Sequence, residues 1–283
     1  TRAELHSPSH LLVLRREGEA ISLSLTAGAM DRDFLLDAEF GAIERCSVTS
    51  DRDDEGQIVS VAMVADVPSQ QRPLDLVLVV DCSGSMEGAS IAQARHAMRE
   101  ILGRMGGTDR IDLIRYGSGH QAVFGQLRAL DRDTRSLLEE QVAATDANLG
   151  GTETVAALTK AADLLVQGGK GSERDRVIFL VTDGAIESPR LQALQANCRK
   201  HGLRIFVVGV GLSVGEAAIR AFAESTGGVA ELVHPNQDMA AHVVRHFERV
   251  RAPAARIRRI DWPETPRWVH APTTFSSGDT VRV

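Results

Sequence analysis

Between residues 74 and 250 the chain repeats one pattern, a short apolar run followed by a longer amphipathic stretch. Leu74-Asp75-Leu76-Val77-Leu78-Val79-Val80 is the first such run. A strand reads as an almost unbroken apolar sequence, not as an alternation, when both of its faces are covered. The stretch 88–105 follows, with Ile91, Ala94, Met98, Ile101 and Leu102 at helical spacing. Further strands are expected near 110–116, at an edge near 120–125, and at 176–182, 204–210 and 229–233. Helices are expected near 131–145, 152–167, 189–201, 214–226 and 237–250. Strands alternating with helices make a mostly parallel sheet with helices on both faces. The expected fold class is therefore α/β, doubly wound and Rossmann-like.

The flanks follow a different rule. Residues 1–72 look all-β: Leu11-Leu12-Val13-Leu14 and Ile21-Ser22-Leu23-Ser24-Leu25 bracket the polar turn Arg16-Glu17-Gly18-Glu19, a hairpin signal. Phe34 to Phe40 adds a strand, and a pair near 43–50 and 57–66 brackets Asp51-Arg52-Asp53-Asp54-Glu55-Gly56, read as a solvated turn because it lacks a full calcium-loop pattern. Pro68 to Pro73 reads as a linker. Residues 253–283 return to β character at Arg256–Asp261, Arg267–His270 and Thr280–Val283. The expected division is a β-rich segment at 1–72, an α/β domain at 73–252, and a β segment at 253–283 that packs with the first.

Composition narrows the partners. The net charge of −6 argues against nucleic acid, which needs a basic surface; Arg256-Ile257-Arg258-Arg259 reads as a charged strand face. Cys46, Cys82 and Cys198 are odd in number and lack metal-site spacing, so free and mostly buried thiols are expected. No apolar run approaches the ~18 residues of a membrane helix, and the opening Thr1-Arg2-Ala3-Glu4 is not a signal peptide. Without an initiator Met the chain reads as a fragment; its location leans cytoplasmic, with secretion or surface display left open.

Three loops carry chemistry, and each should lie on the carboxyl edge of the sheet, where open α/β sheets bind ligands. Asp81-Cys82-Ser83-Gly84-Ser85-Met86 leaves the first strand with a carboxylate and two hydroxyls at i, i+2 and i+4. Hard oxygens of this kind suit magnesium, manganese or calcium better than zinc, and Gly84 is expected to let the loop turn tightly. Gly150-Gly151-Thr152-Glu153-Thr154 opens a helix, for which Thr152 is also the expected N-cap. Val181-Thr182-Asp183-Gly184 brings a second carboxylate from the end of a buried strand.

The order Asp-x-Ser-x-Ser, Gly-Gly-Thr, Thr-Asp-Gly on this frame resembles the von Willebrand factor A (VWA) domain, over about 74–250. The resemblance implies a metal-ion-dependent adhesion site made by Asp81, Ser83, Ser85, Thr152 and Asp183. It implies magnesium (Mg2+) first, with manganese or calcium (Mn2+, Ca2+) as alternatives. The serines would touch the metal, the aspartates often acting through waters. Because such a donor set leaves the cation short of ligands, a protein partner's Asp or Glu completes the coordination. The implied function is protein binding, not catalysis, and nothing in the chain calls for membrane insertion. Ser7-Pro8-Ser9-His10 and Asp31-Arg32-Asp33-Phe34-Leu35-Leu36 resemble the latter part of a VIT domain, the module preceding VWA in inter-alpha-trypsin inhibitor heavy chains.

Two alternatives stand beside this reading: a metal-dependent phosphatase-like hydrolase, and a structural VWA domain without metal. The first wants an aspartate nucleophile, an acid two residues on and a lysine for phosphate. Position 83 is Ser, and Lys160, Lys170 and Lys200 lie away from the expected carboxyl edge. His242 and His246 have chelate spacing, but with no third ligand apparent they are expected on a solvent-facing helix side. Tyr116-Gly117-Ser118-Gly119-His120 lacks the order of a nucleotide-binding loop.

Overall fold

A computed structural model of the chain describes residues 3–6, 12–17, 20–25, 37–40, 46–53, 56–64, 72–169, 173–184, 190–210, 216–233, 239–252, 254–257, 259–262, 265–269, 271, 274–276 and 280–283. It divides into two compact units: residues 1–65, 262–272 and 278–283 form one, and residues 66–261 with 273–277 form the other.

The first unit contains β1 (Ala3–His6), β2 (Leu12–Glu17), β3 (Ala20–Leu25), β4 (Asp37–Phe40), β5 (Cys46–Asp53) and β6 (Gly56–Val64). β2 and β3 form the expected hairpin, and β1 pairs with β4. β5 and β6 pair from Cys46↔Met63 to Asp53↔Gly56, so Asp51–Asp53 are strand residues and not a turn. Both segments carrying the VIT resemblance, 7–10 and 31–36, lie outside the described residues.

The second unit is a sheet wrapped by helices. Its elements are β7 (Leu74–Asp81), α1 (Ala89–Arg104), β8 (Arg110–Tyr116), β9 (His120–Ala122), β10 (Arg128–Ala129), α2 (Arg132–Ala143), α3 (Thr154–Gly168), β11 (Asp175–Thr182), α4 (Leu191–His201), β12 (Arg204–Val210), α5 (Glu216–Glu224), β13 (Ala230–Val233) and α6 (Met239–Arg251). The strand order is β10-β8-β7-β11-β12-β13, with β9 also on β8. β7, β8, β11, β12 and β13 run parallel, and the short β9 and β10 run antiparallel to β8.

The apolar runs explain this layering. Leu74, Leu76, Leu78 and Val80 of β7 point into one core with α1, α2 and α6, while Val77 and Val79 point into another with α3, α4 and α5. Phe179 and Ile178 of β11 divide in the same way. The chain moves outward from β7 to β8, then returns to place β11 on the other side of β7. That reversal sets a switch point between the carboxyl ends of β7 and β11, where a doubly wound sheet opens a crevice. No helix among the described residues is long and apolar enough to cross a membrane.

Three expectations are corrected here. The strand expected at Arg256–Asp261 is displaced: β14 spans Ala254–Arg256 and pairs with β15 (Thr274–Ser276), the described residues 257 and 259–261 carry no strand, and β16 (Thr280–Arg282) pairs with β6. Beyond Arg256, Arg259 bonds Asp261 two residues on, at 2.6 Å, a local contact that favours a bend over a ladder. The described residues at 267–269 carry no strand either. Finally, His246 does not face solvent. It is 0% exposed, its ring set edge-on to Phe179 and Phe206 at centroid distances of 5.6 and 5.3 Å. Val243, Phe247 and Val250 turn that side of α6 inward, and burial drives the His246 imidazole down to about 3, keeping it neutral. His242 is half-buried against Glu231 of β13, 2.5 Å from Nδ1 to Oε1.

Candidate metal centre

Asp81 ends β7 and is fully buried. Its Oδ1 accepts the Ser83 backbone N–H at 2.9 Å, which folds the loop back over the strand end. Its Oδ2 accepts two hydroxyls, from Thr182 at 2.7 Å and Tyr116 at 3.1 Å. A short 3-10 turn, Gly84–Met86, follows, with Met86 N–H bonded to Ser83 O. Gly84 does not have a positive φ, and a Cβ there would meet nothing within 4 Å. The 3-10 turn therefore makes the tight bend, contrary to the role expected of Gly84. Its missing side chain leaves that side of the loop bare.

The turn carries the hydroxyls outward in sequence. Ser83 Oγ, 2% exposed, lies 3.0 Å from Ser85 Oγ. Ser85, exposed, donates its hydroxyl to Asp183 Oδ1 at 2.9 Å. Asp183 follows β11, and β11 pairs directly with β7 through Val181↔Val80. Parallel pairing thus brings two carboxylates, 102 residues apart in sequence, to one sheet edge.

The second loop is lashed to the first by backbone. Leu149 N–H bonds Cys82 O at 2.9 Å, and Gly84 N–H bonds Gly150 O at 3.1 Å. Gly150 adopts a φ of 81°, the left-handed region that glycine tolerates. The run Gly117-Ser118 supports it from below: Ser118 Oγ accepts the Gly151 N–H at 2.7 Å, and a Cβ on Gly117 would lie 2.3 Å from Leu149 O. Thr152 is exposed, and its Cγ2 lies 3.4 Å from where a Gly184 Cβ would stand. It does not cap α3; the N-cap is Glu153, without a side-chain bond. Thr152 therefore has a place beside the Asp81–Asp183 loops without the helix-capping role expected of it.

All five residues singled out from the sequence meet at this edge. Two side chains that bond Asp81 at this edge were missed, Tyr116 and Thr182. Tyr116 is directly opposite Asp81 in register, and the signal for it was available in principle: a buried phenol at the end of the neighbouring strand needs a polar partner.

The charges are uneven. Burial pushes the Asp183 carboxyl above its ordinary value; the Ser85 hydroxyl opposes this and the Asp81 charge adds to it. No cationic side chain hydrogen-bonds either carboxylate among the described residues. Burial, followed by Asp81, drives the Cys82 thiol up to about 12, so it is a packing group and not a thiolate ligand. The donors on offer are carboxylate and hydroxyl oxygens, the set that hard divalent cations take. Among the described residues no three His, Cys, Asp or Glu side chains converge as a metal site of another kind.

The family model for the von Willebrand factor type A domain matches residues 75–246. A von Willebrand factor A domain-containing protein of Dictyostelium discoideum is 28% identical over 192 residues, 66% of this chain and 20% of that protein. The chain spans about a fifth of the length of the curated relatives it matches first. Among solved structures, a von Willebrand factor type A protein from Catenulispora acidiphila superposes with a TM-score of 0.60 at 18% identity, covering 79% of this chain and 59% of that one. Proximal thread matrix protein 1 from the mussel byssus, with a zinc-occupied MIDAS motif, gives 0.50 at 17% identity, covering 66% and 47%.

Proposed function

Because this chain belongs to the von Willebrand factor type A family, whose domains generally mediate metal-dependent protein interactions, we propose that its carboxyl-edge loops form a metal-ion-dependent adhesion site. Asp81, Ser83, Ser85, Thr152 and Asp183 hold the cation in this reading. Magnesium is the first candidate, with manganese and calcium as alternatives. When bound, the cation supplies a positive charge and an open position for an Asp or Glu of a protein partner.

One observation supports this reading above the others. A fully buried aspartate sits next to a second carboxylate, and among the described residues both are satisfied by neutral hydroxyls and amides alone. Two like charges so arranged repel, and a divalent cation relieves that repulsion. The chain's own residues do the rest. Asp81 anchors the loop, the hydrogen-bonded oxygens of Ser83, Ser85 and Asp183 run from the buried loop to the exposed Ser85, and the backbone bonds from Gly84 and Leu149 keep Thr152 nearby.

The hydrolase alternative gains no support. Ser83 Oγ bonds another serine, not a histidine or a carboxylate that would activate it. An interaction module remains the better reading. The flanks are proposed as a VIT-like β segment at 1–72, the VWA domain at 73–252, and a β segment at 253–283 packing with the first. The β6–β16 pairing supports that association, for Val283 also exchanges two backbone bonds of 2.8 Å with Val61.

Isothermal titration with Mg2+, Mn2+, Ca2+ and Zn2+ tests the site; zinc is included because the mussel protein's motif holds it. Wild type should bind, and Asp81→Ala and Ser83→Ala should not. Equal weak binding by all three would defeat the metal-site reading. Affinity capture with and without a chelator then tests the partner: a protein retained only with the cation supports the adhesion role.

A further inference from the structure

The hydrogen bonds on Asp81 are unequally shared between its two oxygens. A carboxylate oxygen has two lone-pair directions. Among the described residues, Oδ2 receives both the Thr182 and Tyr116 hydroxyls and is filled, whereas Oδ1 receives the Ser83 amide alone and keeps one direction open. The Tyr116 phenol is itself oriented. Thr154 Oγ1, 5% exposed, donates to the phenol oxygen at 3.4 Å, which leaves the phenol proton for Asp81. Tyr116 is fully buried and belongs to the rigid strand β8, so this donor does not wander.

We propose that Tyr116 is a specificity-determining residue of the site, committing Asp81 Oδ2 to the interior so that Asp81 acts on a cation through Oδ1 alone. This rests on the metal-site reading above. The consequence follows from cation chemistry. Magnesium demands a near-ideal octahedron of short bonds; calcium accepts six to eight oxygens and takes carboxylates with both oxygens at once. An aspartate offering one oxygen in a fixed direction serves the first and denies the second its chelating mode. Tyr116 does not need to touch the cation to have this effect; it acts through Asp81, as outer-shell partners do.

Tyr116→Phe tests the assignment, because it keeps the ring and removes only the hydroxyl. The ratio of magnesium to calcium affinity, measured by titration calorimetry, is expected to fall about tenfold, the lower end of what loss of an outer-shell partner costs. Thr182→Val removes the other Oδ2 donor and should lower the same ratio, while Thr182→Ser keeps the hydroxyl and should restore it. A merely structural hydroxyl would weaken both cations alike. The chain's single tyrosine adds a second readout. With 13C-labelled tyrosine, the one set of ring signals should shift when magnesium is added to wild type. Equal losses for magnesium and calcium, no change in the ratio, or a tyrosine signal unmoved at saturating magnesium would overturn the assignment while leaving the metal site standing. A wild type that binds none of the divalent cations titrated overturns both readings.

Discussion

Strand β7 carries one buried aspartate next to its start and another at its end, and the two live under opposite rules. Asp75, second in the strand, is 0% exposed and carries two arginines: Arg110 bonds Oδ1 at 2.8 Å and Oδ2 at 2.5 Å, and Arg174 bonds Oδ1 at 2.6 Å. Nearby, Asp109 is held by Arg251 on both oxygens and by the Leu74 and Gly106 amides. Asp81, at the other end of the same strand and equally buried, has among the described residues only an amide and two hydroxyls, with Asp183 as its charged neighbour. The amino edge neutralises its charge from within the chain. Among the described residues the carboxyl edge does not, and a site left electrostatically incomplete is suited to receiving a cation from outside. In the proposed reading the same residue type is structural at one end of the strand and functional at the other.

Breaking the amino-edge pairing should have the largest effect. Asp75→Ala leaves Arg110 and Arg174 half-buried without their counter-charge, and removing one partner of a buried pair is expected to cost about 3 kcal/mol. Denaturant unfolding should show the same loss in magnesium and in chelator. Asp183→Asn should sharpen the contrast. In chelator it is expected to unfold no more easily than wild type, because it removes a like charge beside Asp81. In magnesium at a hundred times its Kd, wild type should gain about 2.7 kcal/mol that the variant lacks. If Asp75→Ala lost stability only with magnesium present, the division between edges would be wrong.

The parallel core was legible in the sequence because burial on both faces writes itself as an unbroken run. The residues 74–80 admit no other placement, and alternate side chains duly divide between two cores. The site was legible for a related reason: Asp81 and Asp183 each leave the carboxyl end of such a run, and parallel strands must bring those ends to one edge. What escaped depends on register and on side-chain direction. The Tyr116–Asp81 bond exists because β8 and β7 pair with those residues opposed, which no local pattern encodes. Thr152 was given a cap that Glu153 occupies, since a helix start shifts by two residues at no cost to periodicity. His246 was sent to solvent because the sequence does not say which side of α6 meets β11 and β12.

The smallest effect expected is also the one that sets the two edges moving in opposite directions. Burial alone would push the Asp109 carboxyl up, but the Arg251 bond and the Leu74 and Gly106 amides together outweigh it and hold it below 3.8. In Asp183 burial and Asp81 win over Ser85, and its carboxyl lies above 3.8. A depressed carboxyl stabilises the fold above its unfolded value and loses that contribution as pH falls through the folded value. A raised carboxyl does the reverse: its ionisation weakens the fold as pH rises from 3.8 through the raised value, and protonation relieves it. Acidification in chelator should therefore loosen the amino edge while it relaxes the carboxyl edge. Relative to wild type, Asp183→Asn should be more stable at neutral pH, with the advantage shrinking as pH falls toward 3.8. Magnesium affinity of wild type should drop over the same interval, since proton and cation compete for Asp183. Stability curves for wild type and Asp183→Asn that stay parallel across that interval would show that Asp183 is no more strained than a surface carboxylate, and the asymmetry between the edges would reduce to Asp81 alone.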